Sequence, residues 1–353
     1  MKDIGSIFPL YAVDFLDSVE DNSNNINYNQ INFSLCREAI LAIAKENDNS
    51  NKIVLLPAYT CQTVIDPFLQ EGWQCYFYNI SSKLRIDTVD LKKIAYKKKP
   101  AIVLVHPFYG CDLNEIEIST LIELKSTGCI LVEDITQCIY SQSATDIFNY
   151  IVGSYRKWCQ VPDGGFLRGQ NLSHIEHPKN ENIPFVQKQM DAMYLRGVYF
   201  QYEDENIKKI SIRINKEAVS NISQHITIHK MAQFSMKKWI ENSHEDTHKK
   251  RLVNYKYLYD HIRPSAKIQS VCSNIQDLTT YPLYYPIYTQ NRTELQKKLA
   301  SEHIYAPILW PIKTKAVIIN ENIKKIYDTI LMIPIDQRYD LTDMKKIVDI
   351  LNK

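Results

Sequence analysis

Between residues 53 and 134, short β-branched and aliphatic runs alternate with longer amphipathic stretches, and no other feature of this chain restricts its fold so tightly. The runs are Ile53–Pro57, Gln74–Tyr78, Ala101–Val105 and Cys129–Glu133. Between them lie helix-patterned segments at about Thr60–Glu71, Thr88–Lys97 and Ile116–Ser126. Connections of this length are crossovers rather than hairpins, and near-continuous apolar runs suit strands covered on both faces. The expected fold is therefore α/β: a mostly parallel central sheet with helices on both faces. Ligands of such sheets bind at the carboxyl ends of the strands. Pro57-Ala58-Tyr59, His106 to Gly110 and Asp134 to Gln137 each follow a strand directly, so they are expected at one rim.

The flanking segments are less regular. Residues 32–45 read as a helix with an apolar face and Ser34 as its N-cap. Residues 171–215 are polar and irregular, apart from a helix over Pro184–Phe200 with its proline in the first turn. A long, charged helical pattern covers Lys216–Ile262. After it come a strand at Leu283–Tyr288, a helix at Arg292–Ser301 and a closing helix at Thr342–Leu351, which together read as a small α+β domain. The expected division is a large domain over 1–215, a linking helical segment over 216–262 and a small carboxyl-terminal domain over 263–353.

Composition removes several function classes. The net charge is +2, which gives no strong field for nucleic acid or an anionic membrane, and no apolar stretch is long enough to cross a bilayer. Eight cysteines stand singly without a C-x-x-C pair, so neither a zinc site nor a disulfide framework is expected. With Asp3, Pro9 and Asp14 breaking any signal-peptide core, the expected setting is cytoplasmic. His225 and His229 share a helical spacing but have no third metal ligand nearby. Glycine is scarce at nine residues, yet six of them fall between 110 and 169, where tight turns and close backbone approach are expected.

That stretch also carries the chemistry. The run Ile130-Leu131-Val132-Glu133 ends in Asp134, and twenty-three residues later Lys157 stands in Gly153-Ser154-Tyr155-Arg156-Lys157-Trp158, ahead of Pro162-Asp163-Gly164-Gly165. A lysine is by default a surface residue and a strand-end aspartate a helix cap. A lysine wedged between small-residue turns, downstream of a carboxylate on a buried strand, instead fits pyridoxal phosphate chemistry. The amine forms a Schiff base with the aldehyde, and the carboxylate keeps the ring nitrogen protonated.

The ordered set of motifs resembles the DegT/DnrJ-type sugar aminotransferases of the fold type I pyridoxal phosphate enzymes. The matching pieces are Ile4-Gly5-Ser6, Ser34 to Ile40, Pro57 to Thr60, His106 to Gly110, Glu133 to Gln137, Ser154 to Gly165, Leu309-Trp310-Pro311 and Ile333 to Tyr339. The resemblance implies Lys157 and Asp134 as catalytic residues. It makes Gln137 the partner of the cofactor's phenolic oxygen. The turn Ser34, Cys36 and Arg37, with the Ser154 hydroxyl, becomes the phosphate cradle at a helix N-terminus, with Arg37 either on the phosphate or in a helix-surface pair. Where the family carries a Gly-Thr or Gly-Arg pair in that turn, this chain has Cys36-Arg37, and where it carries a ring-stacking aromatic, this chain has Cys61. Tyr59, Phe108 and Tyr109 are the candidates for the stacking role. Lys157 follows Ser154 by three residues, a shorter step than in many members. The nearest match to the family's glycine-asparagine turn is Asn221 to His225.

What the resemblance implies about activity is transfer of an amino group from an amino acid, glutamate foremost, to a nucleotide-linked keto-sugar. The products would serve surface glycan or aminosugar biosynthesis, and the enzyme would be a cytoplasmic homodimer. Two alternatives stay open: the same fold acting on a non-sugar substrate, and a non-catalytic regulator of that fold. Lys157 argues against the family's dehydratases, which carry histidine at that position.

Overall fold

The computed structural model describes residues 3–15, 29–47, 51–140, 146–222, 225–242, 244–265, 267–272, 275, 278, 280–312, 317 and 320–353. Seven strands form one sheet in the order β1-β7-β6-β5-β4-β2-β3. They are β1 (Gln30–Phe33), β2 (Ile53–Pro57), β3 (Gln74–Tyr78), β4 (Ile102–Val105), β5 (Ile130–Asp134), β6 (Tyr150–Ser154) and β7 (Gly165–Gly169). β2, β3, β4 and β5 pair in parallel, whereas β1 and β7 pair antiparallel. Every residue of β4 is buried, as is β2 from Val54 onward, so both faces of these strands are covered. The mostly parallel sheet read from the strand–helix alternation is the one observed.

The chain divides into two compact units that interleave in sequence, with the cut falling inside β6. The first takes residues 1–2, 6–46 and 152–242, and the second takes 3–5, 47–151 and 243–353. This division runs in interleaved segments rather than in chain order. The antiparallel β1–β7 pair ties the amino-terminal region to residues after 165, so a late segment shares a core with an early one.

In the second unit, α2 (Gln62–Gln70), α3 (Thr88–Lys98) and α4 (Glu115–Ser126) connect the parallel strands. Asp87 caps α3, and Asn114 with Glu117 forms a capping box on α4, so these starts satisfy their own backbone N–H groups. The same unit carries an antiparallel three-stranded sheet of β8 (Ile268–Ser270), β9 (Tyr284–Thr289) and β10 (Ile330–Pro334), in the order β10-β9-β8. Tyr255, Ile287, Ile333, Met344 and Ile347 share one buried core around it. The helices there are α8 (His244–His261), α9 (Arg292–Ser301), α10 (Glu321–Thr329) and α11 (Leu341–Leu351).

The first unit holds α1 (Cys36–Glu46), α5 (Ile183–Tyr202), α6 (Glu205–Asn221) and α7 (Gln233–Glu241). Seven consecutive residues of α1, from Glu38 to Ala44, are buried, so this helix is surrounded rather than amphipathic. Two expectations change here. The helix read from residue 32 opens only at Cys36, because residues 30–33 are taken up by β1. Ser34 is therefore not its N-cap; its N–H donates to His229 O and its carbonyl accepts from Gly164 N–H. Likewise the pattern over 216–262 is three helices, α6, α7 and α8, with residues 225–232 in none of them. Lys230 there bridges to Phe33 and Glu181.

Candidate active site

Asp134 ends β5 with its carboxylate 5 % exposed. Its Oδ1 accepts the Thr136 N–H at 2.9 Å, and its Oδ2 lies 3.5 Å from His106 Nδ1. His106, buried at the end of the β4 segment, is held on its other side by Thr60 Oγ1, 2.8 Å from Nε2. The chain Thr60–His106–Asp134 thus fixes the carboxylate from two neighbouring strand ends. Hydrogen-bonded on one oxygen and faced by an imidazole on the other, the carboxylate can stay buried. Beside it, Glu133 points its Oε1 into the interior without a hydrogen bond, and burial raises its pKa well above the usual carboxylate range. The two carboxyls alternate across β5, one wired and one left alone.

Gln137 is 2 % exposed and its Oε1 has no partner. Its carbonyl accepts from Leu283 N–H, which ties this turn to the segment before β9. Tyr59 is fully buried: its hydroxyl donates to Leu309 O, and its ring lies 5.1 Å from Trp310, 5.2 Å from Tyr327 and 5.6 Å from Phe108 between centroids. Tyr109 meets Tyr59 through the hydroxyls at 3.5 Å. All three aromatic candidates named from the sequence therefore belong to one cluster. Cys61 stands at the start of α2 and makes no side-chain cap bond there.

The other candidates lie in the first unit. Ser34, Cys36 and Ser154 come together around Gly164 and Gly165. Gly164 N–H donates to Ser34 O at 2.7 Å, and its carbonyl accepts from Tyr155 N–H at 2.9 Å and from Ser154 Oγ at 3.3 Å. Gly164 has φ +133°, which a side chain would resist. A Cβ on Gly165 would lie 2.3 Å from Cys36 N and 2.4 Å from Leu35 C, so only glycine lets the first turn of α1 come this close. Ser34 Oγ is buried without a hydrogen bond of normal geometry.

Lys157 ends a single 3₁₀ turn, Tyr155–Lys157, directly after β6. The turn is anchored by its neighbours: Trp158 is fully buried, and the Tyr155 ring stacks on Phe166 at 4.9 Å and Trp239 at 4.0 Å. Lys157 itself is half-buried and has no hydrogen-bond or ion-pair partner among the described residues. A lysine amine held on a rigid turn and left without a counter-charge is suited to act as a nucleophile or base.

Arg37 goes elsewhere. Its Nη1 donates to Ile222 O at 3.1 Å, and its side chain lines a cavity with Glu38, Lys188 and His229. Of the stretch compared with the family's glycine-asparagine turn, Ser223 and Gln224 lie outside the described residues.

Three residues close to these groups had no role in the sequence reading. Asp163 is fully buried, accepts the Ala232 N–H at 3.1 Å and so caps the uncapped start of α7. Burial pushes its carboxyl up to about 6, with Ser235, Ala232 and Ser34 pulling the other way. Glu38, also buried, accepts the His229 N–H at 2.9 Å, and its Oε1 lies 3.5 Å from His229 Nδ1. Burial raises the Glu38 pKa, and the Glu38 carboxylate raises that of His229. The only advance signal for Asp163 was its place before the double glycine.

Comparison with known proteins bears on the fold. No family model matches the chain. NtdA from Bacillus subtilis, solved with bound cofactor PMP, superposes with a TM-score of 0.65 at 15% identity, covering 91% of this chain and 72% of that one. Helicobacter pylori PseC, an aminotransferase involved in the biosynthesis of pseudaminic acid, gives 0.64 at 11% identity, over 91% and 85%. A DegT DnrJ EryC1 StrS aminotransferase from Brucella abortus gives 0.61 at 14% identity, over 91% and 84%. The chain has the fold of these proteins. By sequence, it is 24% identical over 247 residues to the RecBCD enzyme subunit RecB of Buchnera aphidicola, a match covering 61% of this chain and 20% of that protein. The chain spans a fifth of that relative's length, and at this identity the match establishes no kinship. The near-complete structural matches carry the argument about fold.

Proposed function

We propose that the protein is a pyridoxal phosphate-dependent aminotransferase of the DegT type. It would move an amino group from an amino acid, glutamate foremost, to a nucleotide-linked keto-sugar for surface glycan or aminosugar biosynthesis. The observation that carries the reading is the half-buried, partnerless amine of Lys157 on a rigid turn, in a chain whose fold matches sugar aminotransferases over nine-tenths of its length.

The residues fit the group. Orphaned buried atoms, Ser34 Oγ and Gln137 Oε1, and the side-chain-free approach at Gly165 are features that a bound phosphate ester and ring would explain. When bound, pyridoxal phosphate supplies an aldehyde for the amine and a ring that takes up electrons. Lys157 would hold it covalently and, once released, carry the proton between the substrate α-carbon and the cofactor's C4′ atom. Asp134, oriented by Thr136 and His106, would keep the ring nitrogen protonated. The Cys36 N–H, with the Ser34 and Ser154 hydroxyls, would hold the phosphate, while Arg37, bonded to Ile222 O, takes no part in it. Gln137 would meet the phenolic oxygen, and Tyr59 would bound the ring pocket. Residues 263–353, with the segments Leu309-Trp310-Pro311 and Ile333 to Tyr339, would contribute to substrate recognition. The enzyme would be a cytoplasmic homodimer; among the described residues no helix is long and apolar enough to cross a membrane.

The test is spectroscopic. Purified protein incubated with pyridoxal phosphate should gain an absorption band at the visible edge that borohydride removes. Glutamate should shift that band, and Lys157→Ala should lack it. Protein that takes up no cofactor, or a Lys157→Ala variant with an unchanged band, sinks the proposal.

A further inference from the structure

Helix α8 buries Arg251, Tyr255 and Leu258, whose spacing puts them on one helical face. Tyr255 and Leu258 join the core around the three-stranded sheet. Arg251 shares their face at 0 % exposure, where the pattern calls for an apolar residue. A buried guanidinium is costly to desolvate and is tolerated only when its N–H groups are well bonded. Here Nη1 donates to Leu283 O at 3.0 Å and Nε to Gln337 Oε1 at 3.1 Å. Leu283 precedes β9 and Gln337 follows β10, so one planar fork spans the entry of a strand and the exit of its antiparallel partner.

Leu283 is held at both of its backbone polar groups. Its carbonyl accepts from Arg251, and its N–H donates to Gln137 O at 3.0 Å. Three residues earlier, Thr280 N–H donates to Gly110 O at 3.1 Å. Gly110 has φ +90°, and a Cβ there would lie 2.5 Å from Leu278 Cδ1, so this approach also depends on glycine. The segment 280–283 thus bonds to the turns after β4 and β5, and Arg251 fixes the end that meets Gln137. The Gln137 amide is buried with its Oε1 unbonded, so the backbone of its turn carries the task of aiming it.

We propose that Arg251 is a positioning residue: through Leu283 it holds the turn of Gln137 so that the Gln137 amide meets the phenolic oxygen of the cofactor. The inference rests on the pyridoxal phosphate reading, in which Gln137 has that role.

Two readouts test it: the pH midpoint of the visible-edge band in cofactor-loaded protein, and hydrogen exchange at Leu283 N–H. Gln137→Ala should move the midpoint by about one pH unit, the scale of one hydrogen bond. Arg251→Met should move it in the same direction by at least about half as much, and should add less than about 0.3 unit in the Gln137→Ala background. Arg251→Lys keeps a donor for Leu283 O and should bring the midpoint back to within about 0.3 unit of wild type. Asn254→Leu cuts the neighbouring bonds from α8 to Ile335 O and Tyr339 O; it should lower the thermal midpoint without moving the band. In the wild type, cofactor loading should slow exchange at Leu283 by about fivefold or more, because coupling between two sites is reciprocal, and this readout requires no variant to fold. A wild type that takes up no cofactor sinks the cofactor reading and this inference together. With cofactor bound, an unmoved band in folded Arg251→Met, an equal shift in Asn254→Leu, shifts that add to that of Gln137→Ala, or unslowed exchange at Leu283 each overturns this inference alone.

Discussion

The end of β5 and the turn after β6 each present one charged side chain, and they do so by opposite means. Asp134 is wired: Thr136 N–H and His106 meet its two oxygens, and Thr60 holds His106 in turn. Lys157 is isolated: its turn is clamped by Tyr155, Trp158 and the glycines, while its amine has no hydrogen-bond or ion-pair partner among the described residues. The carboxylate needs neighbours because an unanswered buried charge is costly. The amine needs their absence, because a salt bridge would hold it protonated and unreactive. Position is supplied by the side chain's own bonds in one case and by its backbone's packing in the other.

Breaking the isolated side should cost most. Lys157→Ala is expected to lower transamination about 10³-fold, within the range for loss of a general base, while leaving the unfolding free energy within about 0.5 kcal/mol of wild type. Steady-state kinetics beside a denaturant curve check both halves. A large loss of stability would mean that the amine is structurally engaged after all.

The buried carboxylate under the same turn sharpens the contrast. Asp163 has its pKa raised from 3.8 to about 6, so the folded state keeps its proton longer than the unfolded chain does. Folding stability should therefore fall as pH rises from about 4 to about 6, by on the order of 3 kcal/mol, and stay low above that. Asp163→Asn, which still offers an acceptor to Ala232 N–H, should flatten this slope in urea titrations across that window.

Gly165→Ala places a Cβ against the Leu35–Cys36 backbone, where no flexible side chain can give way. A loss of about 1–3 kcal/mol is expected from overpacking, read as a lowered thermal midpoint. Weakest of all, Thr60→Val removes the hydrogen bond to His106 Nε2 from the wired side. It should cost about 1 kcal/mol of stability and leave cofactor uptake measurable, since Thr136 still orients Asp134.

The parallel strands were readable because each is a short apolar run covered on both faces, so composition alone marks Ile53–Pro57 and Ile102–Val105. β6 and β7 carry no such mark. Tyr150–Ser154 and Gly165–Gly169 contain glycines and polar ends, and β7 exists because β1 pairs with it across more than a hundred residues. Helix α6 escaped for a related reason. Its surface is largely exposed and its polar residues resemble those of a loop, while the support of α5 lies outside any local window. The sequence motifs named Ser34, Cys36, Ser154, Lys157 and Asp134. They could not say that Arg37 turns to Ile222 O or that Asp163 caps α7, because both partners are distant in the chain.

By itself the sequence determined the alternation of strands and helices from β2 to β5, the parallel pairing of those strands and the aspartate that ends the last of them, because periodicity and crossover length are local properties. Tertiary structure alone decided which buried charges are answered, where glycine is obligatory and how the chain interleaves into two units. Those outcomes depend on groups brought together from far along the chain, where burial turns a missing or present partner into several kilocalories per mole.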